Sequence, residues 1–457
     1  MKTALLINYY WPPSGGAGVQ RWLKMSRYMN QFGWKLVVYT PSNPDVPVED
    51  LSLLAEIPEQ LEVVTYPIWE PHGWYKLVTG RGRDSNVYSG FINESGERST
   101  LDRLAIWIRG NLFIPDPRRF WVRPSVKRLD QLIRQRTFDS IVSTGPPHSM
   151  HLIAQKLAAK HQIPWVADFR DPWTGIDYYG ELMLTGFADR RQHKLELSVL
   201  RSASRIVTVS PSWARDLGSL CDRDVDVITN GFDEQDFQLP APGLDQGFTI
   251  CHLGSMNRDR NPHALWQALA RLQRAQHPLL SKLRVTLLGA VDNEVVKTVA
   301  SLGLKNHVEL AGFISHELAI ERMRASQVLL LPINRTANAA GVIPGKFFEY
   351  LGARRPILLI GPPAGDAASL VQQCEAGEVL DFDDVDGVEQ VLLNWYQRYE
   401  ADELYLGGGA IDAYSRRALA EQYAGLLNEL IGNHTGSYSP EHTEGLVNTV
   451  ISDQRGK

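Results

Sequence analysis

Gly341-Val342-Ile343-Pro344-Gly345-Lys346-Phe347-Phe348-Glu349-Tyr350-Leu351-Gly352-Ala353-Arg354-Arg355-Pro356 is the stretch from which the rest of the chain can be read. The apolar run before it, 327–332, predicts a buried strand. A loop with Asn334, Asn338 and Gly341 follows. Pro344-Gly345 opens a short helical pattern, and Arg354-Arg355-Pro356 closes it ahead of a second apolar run at 357–360. Strand, open loop and helix start present free backbone N–H groups to an anion. Lys346 adds a positive charge at that end, and Glu349, one turn on, shares its helix face. A cation beside a hydroxyl-accepting carboxylate suits a ligand with phosphates and a ribose. A Lys–Glu surface pair capping a helix would leave the same pattern.

The N-terminus repeats the theme. Residues 4–7 predict a buried strand, followed by the loop Tyr9-Tyr10-Trp11-Pro12-Pro13-Ser14-Gly15-Gly16-Ala17-Gly18. Val19, Trp22, Leu23, Met25 and Met29 then recur at helical spacing, Gly33 ends the helix, and 35–39 is the next strand. Glycines in such a first turn let a ligand approach the backbone. A dinucleotide fold wants G-x-G-x-x-G and an acid closing the second strand. Here the glycines run G-G-A-G and the strand ends in Thr40-Pro41-Ser42, which argues against NAD. A tight turn with no ligand is the plain alternative.

The β/α alternation continues. Strand 139–143 leads to Thr144-Gly145-Pro146-Pro147-His148-Ser149, and strand 165–167 leads to Asp168-Phe169-Arg170-Asp171. Both polar clusters fall at carboxyl ends of parallel strands, where open α/β sheets bind ligands. An N-cap at His148-Ser149 and an ion network among Asp168, Arg170 and Asp171 would equally account for them. Strands at 205–209 and 225–228 lead to Thr229-Asn230-Gly231-Phe232-Asp233, and 234–246 reads as a linker. A second α/β unit opens at Phe248. Its first strand ends at Gly254, ahead of a basic loop with Arg258 and Arg260 and a helix with Leu265, Leu269 and Leu272. Strands at 285–288 and 308–310 follow, the latter running into Gly312-Phe313-Ile314, where ordinary loop turning would also explain the glycine.

A chain of 457 residues exceeds one ordinary domain and fits two. Net charge −5 with 22% charged and 44% hydrophobic residues describes a soluble globular protein with no nucleic-acid partner. Three scattered cysteines fit a reducing cytoplasm. The opening MKTALLINYYWPP reads as a first strand, not a signal peptide, and no run reaches the ~18 apolar residues of a membrane span. Residues 80–100 read as a mobile polar loop. Residues 103–136 interleave nine basic side chains, from Arg103 to Arg136, with Trp107, Phe113, Phe120 and Trp121. That composition suits anionic lipid headgroups, but also a solvated helix face whose aromatics pack inward. Pro115, Pro117 and Pro124 are expected to interrupt any long amphipathic helix there. Leu419, Tyr423, Leu426, Leu427 and Leu430 form a helical stripe, and the chain from Asn433 on is polar and expected to be disordered.

The run from position 341 to Glu349 and Pro356, with its preceding glycine loop, resembles the donor-site motif of retaining GT-B glycosyltransferases of family 4. That motif has two glutamates with seven residues between them, then small residues and a proline; here Gly341 stands at the first glutamate, as in a PGKFFEY-type subgroup. The likeness covers roughly 1–432. It implies two Rossmann-like α/β domains facing a cleft: an acceptor-side domain at 1–236, a nucleotide-sugar domain at 247–410, a helix at 411–432 returning to the first domain, and a tail at 433–457. It assigns Glu349 to the ribose, Lys346 with Arg258 or Arg260 to the diphosphate, and Gly341, Gly345, Phe348, Gly312, Phe313, Gly254 and Gly16 to the donor. His148 and Asp168, with Gly15, Gly18, Arg170 and Asp171, fall on the acceptor side. The implied reaction moves a sugar from a nucleotide-sugar to a glycan or lipid-linked acceptor with retention, in cell-surface polysaccharide or glycolipid synthesis. It needs no cofactor or metal, and Asp381, Asp383 and Asp384 read as a surface turn. The expected location is the cytoplasm, peripherally at the inner membrane face through 103–136. An epimerase of the same fold and a non-catalytic nucleotide-sugar-binding subunit are the competing readings.

Overall fold

A computed structural model describes residues 1–46, 48–70, 100–238, 240–404 and 409–435. Of the loop expected at 80–100, residues 80–99 lie outside these residues and Thr100 opens a helix; the tail beyond 435 also lies outside, and 433–435 close the last helix.

Two parallel sheets account for the predicted alternation. The first contains β1 (Lys2–Ile7), β2 (Trp34–Pro41), β3 (Glu62–Tyr66), β4 (Ser140–Gly145), β5 (Trp165–Phe169), β6 (Arg205–Thr208) and β7 (Asp226–Val227), in the order β3-β2-β1-β4-β5-β6-β7. The second contains β8 (Phe248–Leu253), β9 (Leu283–Leu288), β10 (Val308–Gly312), β11 (Val328–Pro332), β12 (Ile357–Ile360) and β13 (Gly377–Leu380), in the order β10-β9-β8-β11-β12-β13. Helices cover both faces, so the central strands are buried on both sides and read as apolar runs rather than alternating ones. The chain reverses direction across each sheet at β1/β4 and at β8/β11. Such switch points open a crevice at the carboxyl ends of the strands.

In the first half the helices are α1 (Ala17–Met29), α2 (Thr100–Leu112), α3 (Arg119–Gln135), α4 (Ser149–His161), α5 (Gly186–Ser202) and α6 (Pro211–Cys221). In the second they are α7 (His263–Arg274), α8 (Leu279–Lys282), α9 (Asn293–Ser301), α10 (His316–Ala325), α11 (Gly345–Ala353), α12 (Asp366–Gln373), α13 (Val385–Glu400) and α14 (Arg416–Thr435). α14 packs on the first sheet, where Leu419, Tyr423, Leu427 and Leu430 join a core with Leu6, Val19, Trp22 and Leu23. Trp22 and Tyr423 meet edge to face at 4.8 Å, and Asn428 accepts from Lys2 Nζ at 2.7 Å.

The chain therefore crosses between the sheets twice, and the crossings lie side by side. Phe232 N–H donates to Tyr414 O at 3.1 Å and Arg416 N–H to Phe232 O at 2.7 Å. A Cβ at Gly231 would collide with the Tyr414 carbonyl, so only glycine admits this approach.

Two expectations change. β5 runs on to Phe169, so Asp168 is a strand residue paired in register with Thr144 and Val207, not a loop residue. Pro115 and Pro117 do separate α2 from α3, but Pro124 lies inside α3. The buried Trp121, Val122, Ser125 and Leu129 hold that helix together across the missing N–H.

Candidate active site

α11 starts with no side-chain cap and no acid in its first turn, so its N-terminal N–H groups and the positive end of its dipole are uncompensated. Lys346 lies in that first turn. Its ammonium donates to His252 Nε2 at 3.3 Å, and His252 Nδ1 donates to Leu330 O at 3.0 Å. That carbonyl can only accept, so the proton of His252 sits on Nδ1 and Nε2 is free to accept from the lysine. Burial, reinforced by Lys346, pushes His252 well below the ordinary histidine value and keeps it neutral. Tyr350 anchors the same helix: its hydroxyl accepts from Leu253 N–H at 2.8 Å and donates to Leu330 O at 3.2 Å. Gly254, at φ +94°, makes room, since a Cβ there would lie 3.0 Å from Lys346 Nζ.

The two arginine candidates separate. Arg260 turns inward and donates from Nη1 to Ser255 O at 2.9 Å, while its Nε is buried without a partner. Arg258 is exposed and reaches Asp259 at 3.6 Å. Burial, then Arg260, then weakly opposed by Glu349, holds the Lys346 ammonium well below the usual lysine range. Glu349, half-buried, is pushed the other way, above the usual carboxylate range. Burial dominates and Asp236 adds to it, against His316, Lys346 and Arg416. His316 and Asp236 lie 3.3 Å apart next to it. Of the other donor-side candidates, Gly345 is exposed, and Gly312 has φ +67° with open space where a Cβ would be. The Phe313 side chain is 86% exposed. Phe348 is fully buried in the core around β11 and β12 and offers no ring to a ligand.

Gly341 has a structural cause that the sequence concealed. A Cβ there would lie 2.6 Å from Trp213 Nε1 and 2.7 Å from Cδ1, so an indole from α6 of the first half occupies the side-chain space. Asp366, at the start of α12, accepts from Ser212 N and Oγ at 2.8 and 2.9 Å and pins the same corner. A cavity of about 290 Å³ opens beside it, between Pro172, Trp213, Leu217, Asn338 and Ala340.

Across the cleft, Gly16 (φ 86°) precedes α1, and Gly15 N–H donates to Val48 O at 2.8 Å. A Cβ on Gly18 would press on the Tyr10 ring at 3.1 Å and on Arg170 at 3.3 Å. Arg170 ties the two first-half loops together, donating to Gly18 O, Pro146 O and, at 3.3 Å, Gly145 O. Asp171, half-buried behind it, is raised by burial against the pull of Arg170. His148 stacks flat on Trp173 at 4.6 Å and is 9% exposed. Asp168 is fully buried and saturated by its own chain: Arg21 at 3.1 and 3.3 Å, Trp22 Nε1 at 2.8 Å and Thr144 Oγ1 at 2.9 Å. Arg21 also donates to the carbonyls of Ile228 and Thr229. Asp168 thus braces α1 against the start of the crossing instead of facing an acceptor.

Three site residues were missed. His252 is a fully buried histidine near the end of a largely apolar strand, a signal that was there to be read. Trp213 carried none. Neither did Arg416, which the second crossing brings beside Glu349. It is 6% exposed with Nη1 unpartnered, and burial, then Arg21, pushes it down to about 9.

Residues 79–236 match the model of Glycosyltransferase Family 4, and residues 234–402 match that of Glycosyl transferases group 1. The chain is a GT-B glycosyltransferase. Its fold is similar to that of a sucrose-phosphate synthase from Thermosynechococcus elongatus, with 15% identity, TM-score 0.59, and 94% of this chain and 100% of that one covered. It is also similar to HepE of Anabaena, solved with UDP-glucose (14%, 0.54, 95% and 99%), and to S. aureus TarM, solved with fondaparinux, alpha-GlcNAc-glycerol and UDP (9%, 0.58, 94% and 100%). Among curated proteins none matches. No helix among the described residues of this glycosyltransferase is long and apolar enough to cross a membrane.

Proposed function

We propose that this glycosyltransferase moves a hexosyl group, with retention, from a nucleotide-sugar held by the second half to a glycan or lipid-linked acceptor held by the first. The observation that carries the reading is the pair of Lys346 and Arg260. Two neighbouring cations, largely withdrawn from water at an uncapped helix N-terminus, have Glu349 as their one nearby counter-charge among the described residues. An arrangement this costly when empty is stabilised by an incoming anion, and a diphosphate fits it. Glu349 then takes the ribose hydroxyls.

In the transfer the acceptor oxygen bonds to the anomeric carbon as the bond from that carbon to the diphosphate breaks. The acceptor proton passes to the departing phosphate oxygen on the same face of the sugar, so no protein nucleophile takes part. Negative charge grows on the diphosphate, and fixed cations there stabilise the transition state more than the ground state. With Lys346 and Arg260 meeting that charge, the reaction needs no divalent ion, and activity should survive EDTA. Screening UDP-, GDP- and ADP-sugars for thermal stabilisation tests the donor site, because a ligand of the folded state raises its apparent stability. Absence of stabilisation by any of them would count against it.

A lipid-linked acceptor, made at the cytoplasmic membrane face for cell-surface polysaccharide or glycolipid, fits the half-exposed Trp107, Leu112 and Phe120 beside Arg119. Arg118 does not belong to that surface: it is buried, pairs with Glu70 at 2.8 Å and lies over the Tyr9 ring. The surface is therefore tested with Arg119→Glu and Arg123→Glu together, in binding to lipid vesicles. Binding to anionic vesicles at low salt that the double variant abolishes supports the surface; no binding by the wild type removes it.

A further inference from the structure

His148 and His151 stand three residues apart at the start of α4, with ring centroids 5.7 Å apart. His148 is stacked on Trp173, and His151 on Phe169 at 4.5 Å, so neither ring is free to swing. Ser143 Oγ, on β4, lies 2.8 Å from His151 Nδ1 and accepts the Trp165 indole N–H at 2.8 Å. An indole N–H only donates, so the hydroxyl hydrogen of Ser143 is left for His151 Nδ1. His151 is then the tautomer with its proton on Nε2. That N–H has no partner, and neither has His148 Nδ1; both atoms are sealed from solvent. They line one spot: a Cβ on Gly145 would lie 2.6 Å from His151 Nε2 and 3.0 Å from His148 Nδ1.

Across one spot the buried His151 N–H is best answered by an accepting nitrogen on His148, whereas two N–H groups there would set like dipoles against each other. Both rings are neutral. Burial pushes His151 down to about 3, and burial, His151 and Arg170 together lower His148 well below the ordinary histidine value. With Nδ1 sealed, Nε2 of His148 is the nitrogen that a ligand meets.

We propose that His151 is a positioning residue: the Trp165–Ser143–His151 array fixes the proton of His148 on Nε2, so the cleft is offered a hydrogen-bond donor for an oxygen of the glycosyl substrate, not a base. This rests on the placement of His148 at the cleft in the preceding reading. The histidine on view is thereby set by a tryptophan and a serine that no substrate touches.

Nitrogen NMR of the full chain with 15N-labelled imidazoles reads the tautomers, and His148→Ala assigns the signals. The wild type should show an unprotonated Nδ1 and a protonated Nε2 at His148. His151→Phe keeps the packing and removes the donor, so the tautomers of His148 should mix. kcat should then fall about three- to tenfold, the worth of one hydrogen bond, with nucleoside diphosphate affinity unchanged. His151→Gln, which keeps an N–H, should restore both readings. Ser143→Ala reaches the same end by freeing His151 to change tautomer, and serves if His151→Phe does not fold. A protonated Nδ1 at His148 in the wild type, or an unaltered His148 tautomer in His151→Phe and Ser143→Ala, overturns the array. Wild-type transfer by His148→Ala, with the tautomer still shifting in His151→Phe, overturns the placement of His148 in the reaction and leaves the array standing.

Discussion

Each sheet brings charge to the crevice, and the two do so in opposite ways. At the end of β5 the Asp168 carboxylate is fully buried, and Arg21, Trp22 and Thr144 saturate it. At the start of α11 the Lys346 ammonium lies against neutral His252 and cationic Arg260. One region is complete in the empty protein; the other is completed by what binds. The balanced region is the more deeply buried of the two, but charge balance decides whether a polar residue in a cleft serves the fold or the ligand.

The sharpest way to break this contrast is Asp168→Ala. It strands a guanidinium that is 1% exposed, and should lower stability by ~3–5 kcal/mol in denaturant titration. A stable variant that had lost only acceptor transfer would return Asp168 to the substrate. Lys346→Met should behave in reverse. The empty protein keeps or gains melting temperature, while donor affinity drops by ~1.5–3 kcal/mol, one to two decades, and the chemical step slows. Glu349→Ala should weaken nucleotide-sugar and free nucleoside diphosphate alike by a similar ~1.5–3 kcal/mol in calorimetry. Unchanged affinity in that variant would dismantle the donor site.

Gly341→Ala drives a methyl into the Trp213 indole and should cost ~1–3 kcal/mol in a thermal melt, with nucleotide binding spared. The finest effect is on pH. Lys346 titrates below its unfolded value in the empty protein, and a bound diphosphate raises it again. Affinity should therefore fall as pH rises through that lowered pKa, by at most about tenfold per unit. Glu349 titrates above its unfolded value and must be ionised to accept a hydroxyl, so affinity should also fall as pH drops through its raised pKa. Calorimetry across pH should trace a bell, and Lys346→Met should lose its alkaline limb.

The fold was legible because strands buried on both faces must be apolar throughout, as Leu329 to Pro332 and Ile357 to Ile360 are. Lys346 and Glu349 were legible because helical spacing places them on one face without tertiary knowledge. Phe348 shares their motif, but its position on the helix turns it into the core. Asp168 was misplaced because it interrupts an apolar strand that resumes at Phe169, and its burial rests on Arg21, 147 residues away. His252 lies 94 residues from Lys346, and Arg416 enters only through the second crossing. Contacts across such intervals leave no periodicity for a sequence reading to detect.

The helix that returns across the hinge has a consequence for synthesis. The wall on which Leu6, Val19, Trp22 and Leu23 close is made by Leu419, Tyr423 and Leu427. A ribosome delivers that wall after both sheets. The half that begins the chain is thus finished last, and until α14 emerges its nascent form carries an open apolar furrow along α1.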